Sequence, residues 1–113
     1  MSTIKNSVRL IGNLGANPTI FNTEKGTKIA RVAIATSDYY YNEKKEKVTD
    51  TQWHNLVFFG KSAELAEKLL VKGKEIAIEG KLINKVYEKD GVKKYSTEIN
   101  VNEFNLFSKE LPA

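Results

Sequence analysis

Residues 51–60, Thr-Gln-Trp-His-Asn-Leu-Val-Phe-Phe-Gly, alternate as a strand does. Trp53, Asn55, Val57 and Phe59 fall on one side, and Gln52, His54, Leu56 and Phe58 on the other. Neither side is purely apolar. A sheet with one buried face places its polar residues together, so rings interleaved with a polar residue on one face call for another explanation.

The flanking segments follow the same period. In 7–15, Val8, Leu10, Gly12 and Leu14 oppose Arg9, Ile11 and Asn13, and 19–22 resumes a strand pattern after Gly15-Ala16-Asn17-Pro18. This predicts one long first strand, bent at its glycines. A second strand runs over 28–37, with Ala30, Val32 and Ile34 against Ile29, Arg31, Ala33 and Ala35, and forms a hairpin with the first. Asp38-Tyr39-Tyr40-Tyr41 ends it, and the charge-rich stretch 42–50 is expected to be a mobile, solvated loop.

After Gly60 the period changes. Helix formers fill 61–72, with an apolar stripe at Leu65, Ala66, Leu69 and Leu70, a Glu64–Lys68 pair and Gly73 as a left-handed C-cap. Residues 74–87 return to a strand: Ile76, Ile78, Gly80 and Leu82 face one way, and Lys81, Ile83, Lys85 and Tyr87 the other. Asp90-Gly91 is the strongest hairpin turn in the chain and sends 92–101 back antiparallel. Phe104 and Leu106 then carry the apolar signal out of phase with Val101, which predicts a bulge near Asn102-Glu103.

Three strands, a helix and two strands, with glycines at the bends, describe an all-β OB-fold. That is a five-stranded Greek-key barrel with one helix between strands 3 and 4. Residues 1–108 form that single domain, and 109–113 are expected to be a short disordered end.

Composition narrows the function. The 113 residues carry 18 Lys+Arg against 14 Asp+Glu, a formal charge of +4 that suits a polyanionic partner without requiring one. No Cys is present, so disulfides, thiolate metal sites and thiol nucleophiles are excluded. The start lacks an apolar signal core and no apolar run spans a bilayer, so no membrane association and a cytoplasmic location are expected.

Trp53, Phe59 and Tyr87, with a tyrosine from 39–41, lie on different strands or strand ends and suit a platform on which bases stack. Leu56 and Phe58 already supply the other face of their strand, which weighs against a purely core role for Trp53 and Phe59. His54 is the only His, so no His pair is available for a metal, and a structural role is expected for it. The carboxylates show no pairing suited to hydrolysis, and Gly12-Asn13-Leu14-Gly15 lies within a strand with no helix following. Neither an enzyme, a cofactor nor a metal is expected.

Four segments, 6–15 (Asn-Ser-Val-Arg-Leu-Ile-Gly-Asn-Leu-Gly), 35–37 (Ala-Thr-Ser), 53–61 (Trp-His-Asn-Leu-Val-Phe-Phe-Gly-Lys) and 78–82 (Ile-Glu-Gly-Lys-Leu), resemble the bacterial single-stranded DNA-binding protein family in order and spacing. The resemblance runs from about Asn6 to Phe107. It implies stacking on Tyr40, Trp53, Phe59 and Tyr87, with Tyr at two positions where the family usually has Trp. It also implies sequence-independent binding of single-stranded DNA, a homotetramer, and protection of single strands in replication, recombination and repair, at the nucleoid or on mobile-element DNA. Asn55, Lys61, Lys72, Lys81 and Lys85 complete the expected nucleic-acid-binding set.

The chain departs from the family pattern in two ways. Ser7, Asn55, Val71, Ile83 and Val86 stand where relatives often carry Arg or Lys, so a weaker electrostatic grip is expected. The residues after Phe107 hold no long linker and no acidic tip, so tail-mediated recruitment of other proteins is not expected. Two other readings stay open on the residues alone: an OB module for RNA or structured nucleic acid, and a structural subunit using its rings for protein contacts.

Overall fold

The structure, a computed structural model, describes residues 5–107. The end at 109–113, expected to be disordered, lies outside the described residues. The elements are β1 (Val8–Leu14), β2 (Thr19–Asn22), β3 (Lys28–Tyr41), β4 (Lys47–Phe59), α1 (Lys61–Leu69), β5 (Glu75–Lys89) and β6 (Val92–Leu106). β1 and β2 are the two halves of the expected bent first strand, and both pair with β3.

The strands run β1-β5-β6-β4-β3-β2, and pairing of β1 with β3 closes the sheet into a five-strand barrel. All contacts are antiparallel except β4 with β6, which run parallel at Leu56↔Ile99 and Val57↔Asn100. Closure requires close backbone approach at the bends. A Cβ on Gly12 would meet the Ala35 carbonyl oxygen at 2.5 Å, and one on Gly80 would collide with the Asn100 carbonyl oxygen.

Alternation fills the barrel. Ala30, Val32 and Ile34 of β3, Leu56 and Phe58 of β4, and Ile76 and Ile78 of β5 point inward and are buried. Phe104 meets Phe58 edge-on at 5.3 Å between ring centroids. The expected slip in phase is present, since Glu79 pairs with Glu103 but Gly80 with Val101, leaving Asn102 as the extra residue of a bulge. Asp90 (φ 54°) and Gly91 (φ 76°) form the expected hairpin turn, both in the left-handed region that a two-residue turn of this kind requires.

Two expectations are corrected. The helix ends at Leu69 and buries Ala63 and Ala66, while Leu65 and Leu69 of the expected stripe stay exposed. Leu70 is already extended (φ −94°, ψ 129°) so that its side chain enters the core. The next turn is captured by the β1–β2 bend. Asn17 Oδ1 accepts the Lys72 N–H at 2.8 Å, and Leu14 O accepts the Gly73 N–H at 2.8 Å. Gly73 does adopt positive φ, but within this turn rather than as a helix cap. Among the described residues, the helix's ion pair runs from Glu67 to Lys28.

The second correction concerns 42–50, which is not a loose loop. β3 continues to Tyr41 and β4 begins at Lys47. The turn between them is pinned by Asn42, whose Oδ1 accepts the N–H groups of Lys44 and Glu46, each at 2.9 Å. Lys47-Val48-Thr49 then pair with Tyr41-Tyr40-Tyr39.

Among the described residues, beyond Thr36 on β3 and Gln52 on β4 these strands pair only with each other, and so do β5 and β6 beyond Lys81 and Glu98. Each pair is a two-stranded arm projecting from the barrel. The radius of gyration of 16.5 Å reflects this, against about 13 Å for a compact chain of this size.

Candidate nucleic-acid interface

Paired residues on neighbouring strands share a face, so the register defines the outer surface. On β3 and β4 it carries Ile29, Arg31, Ala33 and Ala35 beside Phe59, Val57, Asn55 and Trp53. The parallel contact Val57↔Asn100 joins this surface to β6, and Asn100↔Lys81, Glu98↔Ile83 and Lys94↔Tyr87 carry it onto β5. The Trp53 side and the Lys81/Lys85/Tyr87 side, read separately in the sequence, are one continuous face.

Its rings are open. Trp53 is 61%, Phe59 45% and Tyr87 50% exposed. The Trp53 indole lies against the β1–β2 bend, where a Cβ on Gly15 would come within 2.5 Å of its Cζ3. Gly15 is fixed by its N–H donating to Ala33 O at 3.0 Å. One edge of the indole therefore rests on backbone while the rest is free to receive a flat ligand.

Asn55 is exposed between Trp53 and Val57, and Lys81 and Lys85 are exposed along β5. Lys61 opens α1 two residues past Phe59. Lys72 is tied through Asn17 to the bend that supports Trp53. His54 faces the other way, its Nε2 3.0 Å from Thr36 Oγ1.

Tyr40 stands apart from these residues. It is 57% exposed on the β3–β4 arm, where it pairs with Val48 and shares a side with Asp38, Gln52 and His54. Tyr39 and Tyr41 take Trp53's side of the ladder. Those two rings meet edge-on at 5.9 Å, with Lys47 Nζ 4.4 Å from the Tyr39 centroid.

Two residues that the sequence reading left out of the site lie at its centre. Arg31 Nη1 donates to Glu98 Oε2 at 2.5 Å, reaching across β4, and Lys85 Nζ lies 3.2 Å from Glu98 Oε1. Val57 sits at this crossing and is only 1% exposed, although it points outward and is not part of the barrel core. Burial by itself pushes the Glu98 carboxyl up; the Arg31 and Lys85 side chains more than reverse this and hold it below its ordinary value. Counting back from Asp90-Gly91 places Glu98 opposite Ile83 on this face. Only barrel closure brings Arg31 to it.

A closed five-stranded barrel carrying one helix and an outward face of rings and cations is an OB-fold protein. Residues 5–107 match the Single-strand binding protein family. The single-stranded DNA-binding protein of Xanthomonas campestris is 41% identical over 102 residues, 89% of this chain and 59% of the relative. Single-stranded DNA-binding protein 1 of Xylella fastidiosa is 40% identical over 110 residues, covering 93% and 79%. A Plasmodium falciparum SSB in complex with ssDNA superposes with a TM-score of 0.81 at 27% identity, covering 94% of this chain and 96% of that one. The single-stranded DNA-binding protein of Thermus aquaticus gives 0.78 at 31% identity, over 92% and 50%. The chain belongs to the single-strand binding protein family. It spans about three fifths of the length of the Xanthomonas relatives.

Proposed function

We propose that this chain binds single-stranded DNA without reading its sequence, in a role that involves no catalysis. Unpaired bases stack on Trp53, Phe59 and Tyr87, and Asn55, Lys61, Lys72, Lys81 and Lys85 meet the sugar–phosphate backbone. Tyr40 extends the path onto the β3–β4 arm, where both sides of the ribbon are open to solvent. The observation that carries this reading is the joint exposure of Trp53, Phe59 and Tyr87 on one continuous face with Lys81 and Lys85. Every base has a π face, so stacking tolerates any sequence, and an unpaired strand is the form of nucleic acid that presents those faces.

Trp53 is the only Trp, so its fluorescence reports on the site directly. Poly(dT) is expected to quench it strongly and to win competition against poly(U) and duplex DNA. Absence of quenching, or duplex outcompeting poly(dT), would overturn the reading.

The proposal extends to a homotetramer that coats and protects single strands during replication, recombination and repair. Supporting it, Val86 and Tyr95 pair on the side of the β5–β6 arm opposite Lys81 and Lys85, and Ile11 is exposed on β1. Sedimentation equilibrium is expected to give four times the chain mass; a monomer at micromolar concentration would remove that part.

A further inference from the structure

We propose that Glu98 is a built-in substitute for a DNA phosphate: in the free protein it occupies Arg31 and Lys85, and by doing so limits how tightly the face holds the nucleic-acid backbone. This rests on the reading that unpaired strands lie across this face.

Asn100 neighbours Val57 across the parallel β4–β6 contact, and β6 runs in the same direction as β4. Glu98 therefore sits one alternation toward Asn55, between the levels of Phe59 and Trp53. A backbone passing from one ring to the other crosses it.

The two carboxylate oxygens are shared between two cations, Oε2 with Arg31 at 2.5 Å and Oε1 with Lys85 at 3.2 Å. Two oxygens of a phosphodiester would divide between the same donors in the same way. Burial is unequal in the direction such an exchange needs. The Glu98 side chain is 12% exposed, whereas Arg31 is 42% and Lys85 50% exposed, so both cations retain open surface toward an arriving strand. Of three charges at the centre of the face, the acid cancels one cation in full. An ionised carboxylate there also repels phosphate directly.

The test is Glu98→Gln, which keeps size and an acceptor for Arg31 while removing the charge. Trp53 quenching by oligo(dT) across a salt series is the readout. Affinity at low salt is expected to rise several-fold. The log–log salt slope is expected to steepen by about 0.7 to 1.4, one or two added contacts at about 0.7 each. In a double-mutant cycle, Arg31→Gln should cost more affinity in the Glu98→Gln background than in the wild type. Glu103→Gln, an acid paired with Glu79 on the same β5–β6 ladder but away from the rings, should leave binding unchanged.

Wild-type quenching with unchanged affinity and slope in Glu98→Gln would overturn this proposal alone. Weaker binding would also overturn it, since Glu98 would then be orienting its cations toward DNA. If the wild type itself fails to quench, the reading of the face falls and this proposal with it. Should the Gln variant not fold, Glu98→Thr, a neutral strand former, carries the same expectations.

Discussion

Trp53 illustrates how a residue's exposure depends on its support. The indole is held at one edge by the Gly15 backbone, and the absence of a Cβ there lets the ring lie flat. Gly15→Ala is therefore expected to leave the melting temperature nearly unchanged, because an exposed side chain gives way more easily than backbone. It should shift Trp53 emission and weaken oligonucleotide binding. Trp53→Ala removes the ring, and labelled oligo(dT) anisotropy should show a loss of about 5- to 150-fold, the equivalent of about 1–3 kcal/mol of stacking. Trp53→Phe should recover most of it. This side of β4 was legible in the sequence because period two alone separates Trp53 and Phe59 from Leu56 and Phe58. Arg31 and Glu98 were not. They are 67 residues apart in sequence and meet only because closure lays β6 beside β4.

At the scale of elements, the sequence was clearest where a turn residue fixed the register. Asp90-Gly91 set every pair from Lys89↔Val92 to Gly80's neighbourhood, and the phase slip located the Asn102 bulge. It was least clear where tertiary ties override local preference. Nothing in the helix-forming run 61–72 marks Leu70 as the point where Asn17 and Leu14 draw the chain away. The arm at 42–50 was hidden because its charges resemble a solvated loop, whereas Asn42 turns it tightly.

Gly80→Ala should destabilise the fold strongly, because the new Cβ meets the Asn100 carbonyl, a backbone group that cannot rotate aside; chemical denaturation checks this. Single Ala variants of Tyr39, Tyr40 and Tyr41 should separate the two sides of the arm. Loss of affinity is expected in Tyr40→Ala, on the Val48 side; loss in Tyr39→Ala and Tyr41→Ala instead would place DNA on Trp53's side.

The whole molecule carries only a modest positive charge, and part of it is internally neutralised. With Lys61, Lys72 and Lys81 as the cations near the path and Lys85 held by Glu98, the log–log slope of affinity against salt should be shallow, between about −2 and −3 at about −0.7 per contact. A slope matching a dozen contacts would contradict this set. Acid stability follows from Glu98. Its folded pKa lies below the ordinary value, so its contribution is fully present at neutral pH and is lost as pH falls from the ordinary carboxylate range through the folded value. Melting temperature should fall more steeply with acidification in the wild type than in Glu98→Gln, as calorimetry across that window would record.

The arms have a mechanical consequence. A lone pair of strands is marginal in water, whereas a closed ring of five supports itself. Amide protons at 37–41 and 86–95 should thus exchange with deuterium far sooner than those of the ring. Trp53 and Phe59 ride on the stiff part and Tyr40 and Tyr87 on the pliant wings, so a ligand gripping all four would have to still the wings as it settles.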